Sequence, residues 1–146
     1  MKRNILLYIT LIAGLLGFAS CEKKDINGDL DGQWQLMRWE AKANDSIIAD
    51  GPTRLYWTVK LQLVKISGKA NDSDKSMPDI LSEYRYTGDS LILTQAYARP
   101  DDHKVELSEL KTLGVPADGR MKIESLDSRS LVLSSDENVL YFRKNN

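Results

Sequence analysis

The chain has 146 residues, a formal net charge of −1 and a single cysteine. This length fits one domain, and one cysteine excludes an internal disulfide. No basic stripe or run of like charge occurs, which argues against nucleic acid as a partner.

The first 20 residues have the layout of a secretory signal peptide. Lys2 and Arg3 precede an apolar stretch from Ile5 to Leu16, and small residues follow it. A retained transmembrane helix is the weaker alternative, because the stretch is about a dozen residues and a span needs roughly 20. Removing residues 1–20 would leave 18 basic and 21 acidic residues, a formal charge of about −3.

The segment ends in Phe18, Ala19, Ser20 and Cys21, which resemble the lipobox of bacterial lipoproteins with Phe18 in place of the usual leucine. The resemblance implies cleavage after Ser20 and a diacylglyceryl group on the Cys21 thiol. An ordinary signal beside a free or buried cysteine is the alternative, but a lone exported thiol is a liability. Acyl chains at about 0.8 kcal/mol per buried CH₂ would hold the protein on a membrane. We therefore expect an exported protein, lipid-anchored to the bacterial cell envelope, at the outer membrane.

Residues 21–31 are polar, which predicts a flexible tether after the lipidated cysteine. From Asp25 onward their spacing superficially resembles a calcium loop. However, position six is Leu30 where glycine is needed, and position twelve is Leu36 where a bidentate carboxylate must lie. We expect a tether here rather than a metal site.

From Gly32 onward apolar residues recur with period two, which predicts antiparallel strands. In the first strand, the alternation places Trp34, Leu36 and Arg38 on one side and Met37 and Trp39 on the other. The second strand changes phase after Leu63, which predicts a bulge or bend near Leu63 and Val64. The seven predicted strands are 33–40, 55–66, 81–86, 91–97, 121–126, 131–135 and 139–144.

Two of the links between strands also carry local signals. Thr87-Gly-Asp-Ser has the composition of a tight hairpin turn. Residues 104–113 predict a short eighth strand, around 104–107, that passes into a helical turn ended by Gly114, Val115 and Pro116. So many strands in a small domain must close into a barrel or form a sandwich.

Gly32-Gln33-Trp34 resembles the Gly-x-Trp opening of the lipocalin-like (calycin) domains of small Bacteroidetes lipoproteins, and residues 140–144 resemble their basic closing strand. The resemblance implies an all-β fold over residues 32–146, an antiparallel up-and-down barrel of about eight strands. It also implies that Trp34 plugs one barrel end beneath a basic side chain, to which we assign Arg143, in a contact of roughly 0.5–2 kcal/mol. The chain departs from better-known lipocalins in lacking disulfides and in its short segment after the first strand.

Chemical motifs are scarce. His103 is the only histidine, and although Asp101 and Asp102 precede it, no second histidine or available cysteine completes a zinc site. Gly-x-Ser-x-Gly and glycine-rich phosphate loops are absent. A pair of carboxylates acting on glycosides stays open, because no spacing along strands excludes it. We predict no catalytic residue, no metal and no cofactor.

The aromatic residues are expected to belong mostly to the core. If the barrel holds a cavity, Trp57, Tyr84 and Tyr86 would line its binding side. The leading hypothesis is a non-enzymatic, lipid-tethered binder of a small apolar or amphipathic ligand. The alternative is a packed barrel that binds an envelope protein as an accessory subunit, and an enzyme ranks third. The predicted partners are the membrane, through lipid on Cys21, and either a small apolar ligand or an envelope protein.

Overall fold

The computed structural model describes residues 26–69 and 76–145. The predicted signal peptide and Cys21 lie outside the described residues. Two 3₁₀ helices are present within them, the end cap (Gly28–Leu30) and the crossing segment (Leu107–Leu113). The strands are β1 (Gly32–Ala41), β2 (Ser46–Asp50), β3 (Leu55–Lys60), β4 (Leu63–Gly68), β5 (Ile80–Tyr86), β6 (Ser90–Ala98), β7 (His103–Val105), β8 (Arg120–Leu126), β9 (Ser130–Ser134) and β10 (Asn138–Asn145).

The sheet closes on itself because β1 pairs antiparallel with β3 on one side and with β10 on the other. Around the barrel the order is β1, β3, β4, β5, β6, β8, β9 and β10. β2 pairs with the second half of β1, beyond the part that pairs with β3. β7 likewise pairs with the second half of β6, beyond the part that pairs with β8. The described strands therefore fill eight positions, and the predicted antiparallel barrel is confirmed.

The predicted single strand over 55–66 is wrong, because the chain reverses there. Leu61 and Gln62 form a tight turn, and Lys60 pairs with Leu63. Trp57 then lies opposite Ile66, and Val59 opposite Val64, so the apolar side chains of both strands face the same interior. The change of phase in the sequence therefore marks a hairpin rather than a bend. The turn was not predicted because its sequence is Leu-Gln, whereas two-residue hairpin turns usually contain Asn-Gly or Asp-Gly.

In β1, the predicted division of side chains between two faces is also incomplete. The pairing of β1 with β10 shifts register between Leu36 and Arg38. This irregularity places an extra residue in β1, so Trp39 joins Trp34 and Leu36 among the buried residues. A strict period of two would have put Trp39 on the outer face.

Two further differences concern short elements. β2 was not predicted, and its two isoleucines, Ile47 and Ile48, are exposed, so it shows no alternation of buried and exposed positions. The predicted strand around 104–107 is the three-residue β7. The helical turn after it is confirmed as the crossing segment, which ends at Gly114 with the positive φ of 82° typical of a glycine cap.

The polar segment before the barrel is not a tether over its whole predicted length. Leu30, in the end cap, is completely buried, and the Asp31 carboxylate accepts hydrogen bonds from the backbone and side chain of Asn27. Residues 27–31 therefore pack against the barrel, because burying the Leu30 side chain lowers the free energy relative to a solvated linker. The calcium-like spacing falls on this packed segment, and no group of three potential ligands for a metal occurs among the described residues.

Candidate ligand-binding site

One end of the barrel is closed by Trp34 and the end cap. The indole Nε1 of Trp34 donates to the carbonyl oxygen of Leu30 at 2.9 Å. The Nζ atom of Lys144 lies 4.8 Å from the centre of the Trp34 ring and donates to the carbonyl oxygen of Asp29 at 2.7 Å. Gly32 adopts a φ of 138°, where a side chain is strained, and a Cβ there would also lie 2.8 Å from the Lys144 side chain, so glycine suits the start of β1.

The assignment of Arg143 as the cation over Trp34 is therefore wrong, and Lys144 has this position. In the β1–β10 pairing Lys144 lies directly opposite Trp34, so the two side chains share a face of the sheet. Arg143 points to the other face, where it is exposed and its Nη2 lies 3.5 Å from Oε1 of Gln35. The sequence carried the necessary signal, because Lys144 continues the alternation of the buried Leu140 and Phe142.

Trp57 lies inside the barrel, opposite Trp34 in the β1–β3 pairing. Its side chain is 1% exposed and its ring packs at a tilt on Phe142, with centroids 5.3 Å apart. Its Nε1 atom is buried and has no hydrogen-bond partner among the described residues. The other two indoles are paired, that of Trp34 with Leu30 and that of Trp39 with Oδ1 of Asn138 at 2.8 Å. An unpaired buried N–H group is rare in native proteins.

Tyr84 and Tyr86, the other two predicted site residues, lie in or against the core that contains Trp57. The hydroxyl of Tyr84 donates to the carbonyl oxygen of Leu61 at 3.0 Å, which stabilises the β3–β4 turn. Burial, followed by the nearby charge of Asp31, raises the pKa of Tyr84 to about 12, so its phenol is neutral at physiological pH. Tyr84 therefore holds a turn in place, and Trp57 alone of the three presents an unpaired polar atom to the interior.

The opposite end of the barrel is covered by the crossing segment, which runs from β7 towards the turn between β9 and β10. Leu110 and Leu113 of this segment, with Val115 just beyond it, are buried in the barrel core. Nζ of Lys111 lies 3.1 Å from Oε1 of Glu137 in the β9–β10 turn. This ion pair is half-exposed, so it contributes only about 0–1 kcal/mol. The segment therefore closes this end mainly through its apolar side chains.

His103 has no place in this site. It lies at the start of β7, is exposed, and its Nδ1 is 3.3 Å from Oδ2 of Asp101. Both side chains point into solvent, where a loop of this composition is ordinary. The helices of residues 26–69 and 76–145 are all too short or too polar to cross a bilayer.

The comparisons with known proteins agree with this architecture. The family model of the lipocalin-like domain matches residues 16–145, and the chain belongs to this family. A lipocalin-like protein from Bacteroides uniformis has a similar fold, with a TM-score of 0.59 and 20% identity, over 81% of this chain and all of that one. A protein of uncharacterised function from Bacteroides eggerthii gives a TM-score of 0.55 at 17% identity, over 79% of this chain and 98% of that one. Among curated proteins, none matches the sequence.

A lipocalin-like barrel is a scaffold that can hold a small ligand, and proteins with this fold are generally binders rather than enzymes. Sequence reasoning selected Trp57 by its place in a strand, but its unpaired indole becomes visible only with the fold. The crossing segment was predicted as a helical turn without its role as a cover. Its signal was the spacing of Leu107, Leu110 and Leu113, which gives a short helix one apolar side.

Proposed function

We propose that this protein is a lipid-anchored lipoprotein of the bacterial cell envelope whose barrel binds a small amphipathic molecule without catalysing a reaction. The observation that supports ligand binding most directly is the buried, unpaired Nε1 of Trp57. Leaving such a donor without a partner costs about 1–3 kcal/mol. A ligand that supplies an acceptor at this point would recover that free energy.

The surroundings of Trp57 restrict the chemistry of this ligand. An indole N–H only donates, so the ligand must offer an acceptor. The buried residues of the described chain carry no charge, and the three polar ones, Ser82, Ser134 and Asn138, each have a hydrogen-bond partner. An ionised carboxylate would be costly in such an interior. We therefore propose a neutral acceptor, such as a carbonyl or hydroxyl group, on a largely apolar body.

Entry of the ligand would take place at the end covered by the crossing segment. The Trp34 end is held by two hydrogen bonds to backbone carbonyls and by the contact between Lys144 and the ring. The crossing segment is tied by the half-exposed Lys111–Glu137 pair and by the burial of a few leucine side chains. The crossing segment is therefore the weaker of the two closures, and less free energy is needed to open the barrel at this end.

Native mass spectrometry of the mature protein, purified from its own cells, tests this proposal. We expect a retained small molecule on the native protein and at least about tenfold less of it on Trp57→Phe, which keeps an aromatic ring and removes the donor. Tyr97→Phe is the matched control, because within residues 26–69 and 76–145 its hydroxyl donates to Gln95 alone, in an exposed hydrogen bond. Absence of a bound molecule, or equal retention by Trp57→Phe, would contradict the binding proposal.

A second candidate function is an accessory subunit with a fully packed barrel. Closure of both ends and the continuous buried core favour it, because barrels of about eight strands can be filled by their own side chains. The same experiment separates the two candidates. A copurifying envelope protein in place of a small molecule would support the accessory subunit.

The anchor rests on the lipobox-like residues 18–21 and on the apolar segment before them. Palmitate labelling of the full chain and of Cys21→Ser tests it. We expect label on the unsubstituted chain, in the outer-membrane fraction, and none on Cys21→Ser. Continued labelling of Cys21→Ser would refute lipid attachment at this residue.

A further inference from the structure

A groove of about 700 Å³ with a mixed polar and apolar lining lies on the outer surface of the barrel, at the Trp34 end. Three exposed side chains line it, Ile26 (62%), Leu61 (53%) and Leu63 (37%), and we call them the apolar edge. The side-chain amide of Asn27 donates to the carbonyl oxygen of Leu61 at 2.7 Å, which holds the start of the described chain beside the β3–β4 turn. Three large apolar side chains thus lie together in solvent, where isolated ones are the norm.

Leu61 is an unfavourable choice for the fold itself. Its φ of 58° lies in the left-handed region, where a Cβ is strained and glycine or asparagine is preferred. Its side chain is half in solvent and contributes little to the core. The stability of the barrel therefore does not explain a leucine at this turn.

The position of the edge in the chain indicates what covers it. Ile26 follows Cys21 by five residues, and five residues at full extension reach about 17 Å. If Cys21 carries the lipid, as in the proposed function on which this inference rests, Ile26 cannot lie farther than that from the bilayer surface, and Leu61 and Leu63 line the same groove as Ile26. Ile47 is equally exposed, but it lies on β2, which pairs with the end of β1 remote from Trp34.

The charged residues beside the edge have both signs. Lys60 precedes Leu61 in the turn, and Arg85 lines the groove together with Glu83. Between the cysteine and Ile26, Lys23 and Lys24 are matched by Glu22 and Asp25. Lys60 and Arg85 can contact anionic headgroups, to which basic side chains close to a bilayer are attracted. The exposed apolar side chains and the short reach to Cys21, rather than a net charge, therefore favour a membrane surface.

We infer that the apolar edge inserts into the headgroup region of the membrane that holds the lipid anchor. The Trp34 end of the barrel then faces the membrane, and the crossing segment faces away from it. Any ligand would enter from the aqueous side. The lipid holds the protein on the membrane, and the edge fixes the orientation of the barrel there.

Spin labels on the full-length, natively processed protein test this orientation in vesicles of phosphatidylethanolamine and phosphatidylglycerol. Gln62→Cys places a label in the groove and leaves the apolar edge intact, whereas Asn44→Cys places one in the β1–β2 turn at the other end. We expect the ratio of collisions with oxygen to collisions with a water-soluble nickel complex to be several-fold higher at 62 than at 44. Adding Leu61→Asn should lower the ratio at 62 about threefold or more, with the same substitution at Ile47 as control.

Each contrary outcome has a distinct meaning. Equal ratios at 62 and 44, or no effect of Leu61→Asn, would overturn the docking alone and leave the anchor intact. Broadening of the label at 62 by a neighbouring label would show a second copy in the groove, and would overturn it too. If the protein without an introduced cysteine takes up label, Cys21 has a free thiol, and both the anchor and the docking fail.

Discussion

Replacing Leu61 by asparagine should make the barrel more stable. Leu61 adopts a φ of 58°, which costs an L-residue with a Cβ roughly 1–2 kcal/mol, and asparagine tolerates this region better. The turn would persist, because Asn27 and Tyr84 both donate to the Leu61 carbonyl oxygen, which the substitution retains. Loss of the half-buried leucine side chain subtracts about 0.8 kcal/mol. The net gain is then about 0.2–1.2 kcal/mol.

Thermal unfolding of the mature domain without its lipid measures this gain. For a domain of this size we expect a rise in Tm of about 1–5 °C. Ile47→Asn is the control, since Ile47 is as exposed as Leu61 but lies in a strand, where asparagine is disfavoured. A Tm of Leu61→Asn at or below that of the unsubstituted protein would refute the argument from backbone strain.

Four further substitutions test the Trp34 end, the β3–β4 pairing and the β3–β4 turn. Lys144→Met should lower the free energy of unfolding in urea by about 1–2 kcal/mol, whereas Arg143→Met should change it by less than about 0.5 kcal/mol. Gly68→Ala should cost about 2–4 kcal/mol, because φ is 117° and a Cβ would lie 1.9 Å from the carbonyl oxygen of Arg54. Because the pKa of Tyr84 is raised in the folded state, its neutral phenol adds to the free energy of unfolding below pH 10, and this contribution is lost as the pH rises to about 12. The free energy of unfolding of Tyr84→Phe should therefore fall less steeply between pH 10 and pH 12.

The results that would contradict these expectations are equally specific. If Lys144→Met and Arg143→Met lowered the free energy of unfolding by similar amounts, Lys144 would not be the cation that stabilises the Trp34 end. A Gly68→Ala protein as stable as the original would mean that β3 and β4 separate more easily than their spacing implies. An alkaline decline of equal slope in Tyr84→Phe would assign that decline to other tyrosines, of which Tyr141 also has a raised pKa, because of burial and its bond to Glu40.

Period-two alternation was enough to predict antiparallel strands that close into a barrel or form a sandwich, and the resemblance to lipocalin-like domains selected the barrel. The alternation failed at Leu61 and Gln62, because the turn is held by hydrogen bonds from Asn27 and Tyr84 rather than by turn-forming residues. β2 was not predicted because its apolar side chains are exposed and do not alternate with polar ones. Local sequence cannot report contacts that are made 23 or 34 residues away.

The site was predictable to a smaller extent. The strand pattern placed Trp57 in the interior, but whether an indole finds an acceptor depends on atoms from several strands at once. Arg143 was preferred to Lys144 although the buried Phe142 already fixed which of the two faces inward. The apolar edge joins Ile26 to a turn 35 residues later, so no local window could have contained it.

The indole proton of Trp57 gives the most direct test of ligand binding. The ¹H–¹⁵N spectrum of the mature domain, recorded as purified from its own cells and again after extraction with organic solvent and refolding, reports the three indoles separately. Trp34 and Trp39 have protein acceptors, so their signals should stay in place, whereas Trp57 should shift upfield when the ligand is removed. An unchanged Trp57 signal, with no molecule in the extract, would contradict a binding function for the barrel.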